Sequence, residues 1–314
     1  MENNISYTTL LAGGAGIFCY YLYNKRFKCK MYEEMSNILE TTTFIKDKIQ
    51  ELNITPKIGI ILGSGQIDVI QNFEKCLEIP YNDIPNFPIS TVKGHNSKII
   101  FGKIFGLDIC VMAGRFHFYE GYSSKQVGYP IRIMKQLGVK DLIITNSSGG
   151  INTSYDVGDI IVVKDHIYFP GLCGFNPLVG QNNDVLGSRF VATNNIYTSK
   201  YRKTIMNIAK DNEMNNVKEG VYFCVSGPTY ETPSEINLMR LCGGDLVGMS
   251  SIPEVITACH SDMNILLLGI ITNKCIDYTD SDIIPSHEEV CVNAGKSIGD
   301  MSYLINMFLE KTFV

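Results

Sequence analysis

Short, dense runs of apolar residues alternate along the chain with segments in which apolar residues recur every three or four positions. Such runs are typical of strands covered on both faces, and the wider spacing is typical of amphipathic helices. The predicted strands are 58–62, 98–113 (two runs), 141–145, 159–163, 220–225, 245–249 and 264–272. The predicted helices are 31–52, 123–137, 198–214, 232–242, 251–261 and 286–311. The alternation predicts one α/β domain, with a mostly parallel, mixed twisted sheet flanked by helices on both faces.

This predicted domain covers residues 31–314, and residues 1–30 differ from it. Residues 7–23 are uncharged and mostly apolar, and four basic residues follow between positions 25 and 30. The run lies at the short end of the roughly 17–25 residues that span a bilayer. Three alternatives stay open: a signal-anchor that leaves the catalytic domain facing the cytosol, a soluble extension, or a true start at Met31.

The composition excludes some classes of function but does not identify one. Hydrophobic residues make up 45% of the chain and charged residues 19%, with a net charge of −5, as in ordinary soluble enzymes. An acidic chain lacks the basic surface that binds a phosphate backbone, so no nucleic-acid partner is expected. The ten cysteines form no CxxC pair, which favours free thiols in a reducing, cytoplasmic compartment.

Residues that could bind an anion follow several predicted strands, and open α/β sheets bind ligands beyond the carboxyl ends of their strands. Ser64 lies between two glycines, whose amides can approach an anion. Arg115 offers a planar guanidinium suited to phosphate. His117 and Tyr119 would share its face if the strand continued, and His95 adds an imidazole from a separate loop. Each residue, taken singly, has an alternative explanation. Ser64 could lie in a plain tight turn, Arg115 could be a solvated arginine, and His95 could be a surface histidine.

A second group of residues could hold a planar ring. The small residues at 146–150 leave room for a ring against the backbone, and Tyr230 could stack on it. Glu231 could accept hydrogen bonds from a ring N–H, Asn273 adds an amide, and His287 lies at the start of the predicted helix 286–311, where Ser286 could be the cap. Turn chemistry or helix capping is the alternative for each. The chain has no GxGxxG fingerprint, P-loop or metal-ligand motif, which argues against a dinucleotide or nucleoside triphosphate.

Five segments in this order resemble the trimeric purine nucleoside phosphorylases that prefer 6-oxopurines. They are IPNFPISTVKGH (84–95), GRFHFYEGY (114–122), GPTYET (227–232), VGMSSIPEVI (247–256) and ITNK (271–274). The resemblance covers nearly the whole chain after residue 30. It implies the nucleoside phosphorylase fold, a homotrimer, and reversible phosphorolysis of purine (deoxy)ribonucleosides such as inosine and guanosine. It implies no cofactor, because inorganic phosphate is a co-substrate.

The resemblance also implies roles for individual residues. The implied phosphate ligands are Ser64, His95, Arg115, His117, Ser147 and Ser250. The implied ribose contacts are Tyr119, Met249, His287 and, from a neighbouring subunit, Leu172. The implied base pocket consists of Ser148, Gly149, Tyr230, Glu231, Val247 and Asn273. Of these, the residues expected to be catalytic are Asn273, Glu231, His95 and His287.

The chain departs from the family pattern at three places. Leu172 replaces an aromatic residue, Gln66-Ile67 replaces the end of a Gly-Ser-Gly-x-Gly loop, and Ser147-Ser148 replaces two small apolar residues. No charged or catalytic group is lost, so we expect altered affinity rather than lost activity.

Two alternative functions remain. A 5′-methylthioadenosine phosphorylase would carry an aspartate, able to protonate adenine N7, where this chain has Asn273. A non-catalytic nucleoside-binding protein of the same fold would be expected to have lost one of the catalytic side chains.

Overall fold

A computed structural model describes residues 32–63, 65–70, 73–90, 97–279, 281–282 and 284–314. Within these residues, nine strands form one sheet. They are β1 (Ile58–Leu62), β2 (Glu74–Pro80), β3 (Lys98–Ile104), β4 (Leu107–Ala113), β5 (Asp141–Gly150), β6 (Ile160–Tyr168), β7 (Val217–Cys224), β8 (Leu246–Gly248) and β9 (Asn264–Lys274). The α-helices are α1 (32–50), α2 (Ser124–Val127), α3 (Tyr129–Leu137), α4 (Phe169–Leu172), α5 (Ser199–Asp211), α6 (Pro233–Leu241), α7 (Ile252–His260), α8 (His287–Lys296) and α9 (Ile298–Phe313).

The sheet is mixed and partly closed. Its strand order is β2-β3-β4-β1-β5-β8-β7-β6-β9, and a further pairing joins β5 to β9. Strands β5, β8, β7, β6 and β9 therefore form a closed ring, whereas β2, β3, β4 and β1 extend from it as an open sheet. The β1–β4, β1–β5, β5–β9, β6–β7 and β7–β8 pairs are parallel. The predicted α/β class is confirmed, but the ring closure and the edge strand β2 were not predicted.

Helices cover both faces of the sheet, as the continuous apolar runs predicted. Neighbouring residues of β1 point to opposite faces: Ile60 packs in a core with α5 and α9, and Ile61 in a core with α1, α3 and α7. Strand β2 escaped prediction because it lies at the sheet edge and is mostly exposed, so it needs few apolar residues.

Two long predicted helices are each divided in two. The predicted helix 123–137 breaks at Gly128, where a Cβ would overlap the Thr257 side chain on α7. The predicted helix 286–311 breaks at Ser297, which ends α8 and begins α9. Close packing of α7 requires glycine at the first break, and Pro130, which lacks a backbone N–H, lies in the first turn of α3.

The expectations for the N-terminus concern residues 1–30, which lie outside the described residues. Among the residues that are described, no helix is both long and apolar enough to cross a membrane.

Candidate active site

A single pocket opens beyond the carboxyl ends of β1, β4, β5, β8 and β9. It contains thirteen of the residues singled out from the sequence: Arg115, His117, Tyr119, Ser147, Ser148, Gly149, Tyr230, Glu231, Val247, Met249, Ser250, Asn273 and His287. These residues span more than half the length of the chain, and the sheet brings them together because parallel strands end at a common edge.

Three predicted site residues are not part of this pocket. Ser64 and His95 lie outside the described residues. Leu172 lies in α4 and is 78% exposed on its own chain.

Arg115 is buried and is held from several directions. Its Nη1 donates to Ser251 Oγ at 2.7 Å and to Ser250 Oγ at 3.5 Å. Its Nη2 donates to the carbonyl of Ile61 at 3.3 Å and to the carbonyl of Thr145. These bonds tie the guanidinium to the end of β1, to the middle of β5 and to the start of α7. They fix one orientation of the cation, and an anion that enters the pocket meets a pre-positioned charge.

Glu254 provides a buried countercharge for this arginine. Its Oε1 lies 3.8 Å from Arg115 Nη1, and both side chains are almost fully buried. Burial raises the pKa of the Glu254 carboxyl, while the nearby guanidinium lowers it. Removing one member of such a pair leaves the other charge buried and uncompensated, which is costly.

His117 and Tyr119 reach the pocket by a route that the sequence did not predict. Strand β4 ends at Ala113, where the predicted strand also ended, and a short 3₁₀ turn follows, so the strand does not continue and gives these side chains no common face. The two rings instead stack on each other, with centroids 4.6 Å apart. Glu120 Oε1 lies 2.8 Å from His117 Nδ1 and accepts the His117 backbone N–H at 2.9 Å. Burial lowers the pKa of His117, with Glu120 opposing, so the ring is held neutral near pH 7.

The opposite end of the pocket carries a carboxylate and an amide. Burial raises the pKa of Glu231; hydrogen bonding to its own backbone opposes this rise, and the charge of Glu235 adds to it. Thr272 Oγ1 has two acceptors in range for its one hydrogen, Asn273 Oδ1 at 3.2 Å and the Ser148 carbonyl at 3.3 Å, and the Asn273 Nδ2 is a donor. Tyr230 is 37% exposed and lines the pocket beside them. An acceptor and a donor thus lie beside an aromatic face.

The floor of the pocket is the last part of β5. Residues 146–149 continue the strand and pair with β9, so the alternative interpretation of this segment as a turn is wrong. At Gly149 a Cβ would lie 2.7 Å from Cys275 Sγ and 3.3 Å from Asn273 Nδ2, so a larger residue does not fit. The absence of a side chain keeps the floor flat, and a planar ring can lie against it.

His287 is the first residue of α8. The Ser286 hydroxyl accepts the Glu289 N–H at 3.2 Å, so the predicted cap is confirmed. One turn further along the helix, Cys291 Sγ lies 3.6 Å from His287 Nε2. The cap and the thiol together hold the imidazole at the pocket wall.

Sequence reasoning missed several buried polar residues that contact the predicted ones. They are Gln66, Glu120, Asn146, Ser251 and Glu254. Four of them lie within three residues of a predicted site residue, so inspection of the immediate neighbours could have found them. In the part of the chain that the structure describes, no group of three or more His, Cys, Asp or Glu residues could hold a metal ion.

Comparison with known proteins agrees with this geometry. Residues 57–303 match the family model of the phosphorylase superfamily. Purine nucleoside phosphorylase 1 of Geobacillus stearothermophilus is 43% identical over 84% of this chain and 93% of its own length. Purine nucleoside phosphorylase of Rattus norvegicus is 42% identical over 81% of this chain and 89% of its own length.

Solved structures give the same result. A crystal structure of Schistosoma mansoni purine nucleoside phosphorylase in complex with inosine matches with a TM-score of 0.82 and 40% identity, covering 88% of this chain and 96% of that one. A Schistosoma enzyme in complex with guanosine matches with a TM-score of 0.81 and 41% identity, covering 88% and 97%. The fold and the resemblance predicted from the sequence are confirmed, and the chain belongs to the purine nucleoside phosphorylase family of the phosphorylase superfamily.

Proposed function

We propose that this protein catalyses the reversible phosphorolysis of purine (deoxy)ribonucleosides such as inosine and guanosine. The products are the free base and (deoxy)ribose 1-phosphate. The observation that carries this proposal is that one pocket contains a buried Arg115 at one end and the Glu231–Asn273 pair at the other. A cation for phosphate and an acceptor–donor pair for a purine thereby face a common space. The relatives with the same name and the nucleoside complexes of the Schistosoma enzyme support the proposal.

Phosphate would bind at the Arg115 end. The guanidinium supplies the charge, and Ser250 Oγ and the backbone at Ser147 supply further donors. His117 lines the same end of the pocket, and Glu120 Oε1, 2.8 Å from its Nδ1, fixes the orientation of the ring beside the proposed phosphate position. By family resemblance, Ser64 and His95 complete this site.

Ribose would lie between phosphate and base. Tyr119, Met249 and His287 line this middle part of the pocket, and Tyr119 is fixed by stacking on His117. By family resemblance, Leu172 of a neighbouring subunit covers the sugar, with an apolar contact in place of a ring.

The base would lie on the flat floor. Tyr230 and Val247 flank it, and Ser148 and Gly149 lie beneath it. Asn273 donates to N7 and Glu231 accepts N1–H. Inosine and guanosine carry a hydrogen on N1 and adenosine does not, so adenosine would leave the Glu231 carboxylate without its partner. Loss of such a hydrogen bond discriminates strongly between substrates.

The reaction follows from where charge develops. As the bond between C1′ and the purine nitrogen breaks, its electron pair moves to the purine and the ribose becomes oxocarbenium-like. Asn273 stabilises the negative charge on the purine, and the phosphate held on the opposite face of the sugar stabilises the positive charge. A phosphate oxygen then bonds to C1′ with inversion. Phosphate is a co-substrate, and no step requires a cofactor.

Two alternatives are weaker. A 5′-methylthioadenosine phosphorylase would need an acid at position 273, where this pocket has an amide. A nucleoside-binding protein without turnover would not require Arg115, Asn273 and His287 together in one pocket.

The enzyme would be located in the cytoplasm. The described cysteines are free thiols, which suit a reducing compartment.

The test is the formation of uric acid from inosine in an assay coupled to xanthine oxidase. We expect uric acid only when inorganic phosphate is present. Turnover without phosphate would indicate a hydrolase, and binding of inosine without turnover would indicate a binding protein. Either result contradicts the proposal.

We further propose a homotrimer with sites at the subunit interfaces. If α4 carries Leu172 to a neighbouring pocket, each contact is heterologous, and threefold rotation closes the ring. Light scattering tests this proposal, and a fully active monomer at the assay concentration would contradict it.

A further inference from the structure

A chain of buried polar side chains runs beneath the pocket from the base end to the phosphate end. Ser148 Oγ donates to Asn146 Oδ1 at 2.8 Å, and Asn146 Nδ2 donates to Ser251 Oγ at 2.9 Å. Arg115 Nη1 donates to the same Ser251 oxygen at 2.7 Å. All four side chains are at most 3% exposed. Hydrogen bonds between buried groups are strong because water does not compete with them.

The hydrogen bonds along this row of side chains have a fixed direction. The Asn146 amide accepts at its oxygen, so its nitrogen faces Ser251 as a donor. Ser251 Oγ then accepts two N–H groups, which occupies both of its lone pairs. Its own hydrogen has one remaining side-chain neighbour among the described residues, Ser250 Oγ at 3.3 Å.

Ser250 is therefore left as a donor to the pocket. Its oxygen receives the Ser251 hydrogen and the weaker Arg115 Nη1 contact at 3.5 Å. Its own hydrogen has the Tyr222 hydroxyl on one side and the pocket, which Ser250 lines, on the other. A phosphate oxygen is the acceptor that this arrangement suits.

We propose that Ser251 is a positioning residue: together with Asn146 it holds the Arg115 guanidinium and turns the Ser250 hydroxyl toward bound phosphate. Ser148, a departure from the family pattern, sets the direction from the base end. The inference rests on the proposed function, because it assigns phosphate to this end of the pocket. Ser251 itself is fully buried and is not a lining residue of the pocket.

Two variants of Ser251 separate its hydroxyl from its backbone. Ser251 has a φ of 71°, a conformation that glycine adopts easily and alanine does not. Ser251→Ala and Ser251→Gly both remove the hydroxyl, but alanine keeps the Cβ and the backbone strain of the serine, whereas glycine also relieves that strain. We expect both to raise the KM for phosphate about tenfold or more, as for a lost hydrogen bond to a charged group, with little change in the KM for inosine.

Ser302→Ala is the matched control, since Ser302 is a buried serine in α9, away from the pocket. It should leave both KM values unchanged. In the Ser250→Ala background, Ser251→Ala should add less than it does alone, because its effect passes partly through Ser250. An unchanged phosphate KM in both Ser251 variants overturns the inference. A rise in the glycine variant alone also overturns it, because the loss of the Cβ and the freer backbone, rather than the loss of the hydroxyl, would then be the cause.

Calorimetric titration of the protein with inorganic phosphate separates this inference from the proposed function. If the wild type binds phosphate but does not cleave inosine, the proposed function fails, and weaker phosphate binding by the Ser251 variants still supports the inference. If the Ser251 variants do not fold, Ser148→Ala decides, because small apolar residues are usual at this position in the family. Ser148→Ala should weaken phosphate binding severalfold, because Ser148 holds Asn146 and Asn146 holds Ser251. Unchanged phosphate binding overturns the inference.

Discussion

Gln66 Nε2 donates to Ser147 Oγ over 3.4 Å, so two positions at which the sequence departs from the family pattern are in contact. Gln66 is fully buried, and its Oε1 also accepts the Gly63 N–H at 3.2 Å. The glutamine links the end of β1 to the pocket floor on β5. The two departures are therefore one structural feature of the phosphate end, although they lie about eighty residues apart in the chain.

This contact predicts coupling between Gln66→Leu and Ser147→Ala. Each single variant should raise the KM for phosphate, because each removes one end of a hydrogen bond beside the proposed phosphate site. The double variant should be no worse than the more severe single one, with a coupling free energy of about 0.5–1.5 kcal/mol. Steady-state kinetics with phosphate as the varied substrate measure it. Fully additive effects would show that the two residues act separately.

The sequence predicted most of the site because strand ends are short and their chemistry is local. Arg115 and Asn273 follow an apolar run within two residues, Glu231 lies in the loop after another run, and the structure places all three in the pocket. Asn146 and Ser251 were missed, because their role lies in contacts between segments more than a hundred residues apart. No local pattern reports such a contact.

In the fold, too, features set by local pattern were predicted and features set by contacts between distant segments were not. Alternating apolar runs predicted the strands and both helical layers, but the β5–β9 pairing that closes the ring depends on register between distant strands. The predicted strand ended at residue 113, as β4 does, so the continuation under which Arg115, His117 and Tyr119 would have shared a face does not occur. The rings of His117 and Tyr119 stack, which requires the turn.

The pH dependence of the base end provides a second prediction. The raised pKa of Glu231 keeps this carboxyl protonated to higher pH than an exposed glutamate. Only the carboxylate accepts N1–H well, so kcat/KM for inosine should fall as the pH drops through that pKa. Glu235 contributes to the rise through its charge. In Glu235→Gln the pKa of Glu231 should fall, and the acid limb of the profile should move to lower pH.

Glu235→Gln is a conservative change. Glu235 accepts the Thr232 N–H at 2.7 Å in a capping box at the start of α6, and glutamine can make the same bond. Glu310→Gln, on the exposed side of α9, serves as the control and should leave the profile in place. If the acid limb of the kcat/KM profile lies at the same pH in Glu235→Gln as in the wild type, Glu231 is excluded as the group that titrates.

Base selectivity provides a third prediction. Asn273 Nδ2 is the donor at the base end, and Asn273 Oδ1 lies 3.2 Å from Thr272 Oγ1. In Asn273→Asp a protonated carboxyl could donate to adenine N7, whereas an ionised one could not stabilise the leaving purine. The ratio of kcat/KM for adenosine to that for inosine should rise by about tenfold or more. Parallel assays of the two nucleosides measure the ratio, and an unchanged ratio would remove Asn273 from base recognition.

The last prediction concerns Cys291 and His287, which lie one turn apart on α8 with Sγ 3.6 Å from Nε2. Burial raises the pKa of Cys291, so the group beside the imidazole is a neutral thiol and the contact is a weak hydrogen bond. Cys291→Ala should free the ring to turn away from the ribose. The KM for inosine should rise about two- to tenfold, as for one modest hydrogen bond, and the KM for phosphate should not change.

A double-mutant cycle shows whether the thiol acts through the imidazole. In the His287→Ala background, Cys291→Ala should have no further effect on the KM for inosine, because the group that it positions is absent. Cys242→Ala is the control, since Cys242 is an exposed free thiol at the end of α6, away from the pocket. If Cys291→Ala impairs the His287→Ala enzyme as much as the wild type, the thiol shapes the pocket by packing alone and does not position His287.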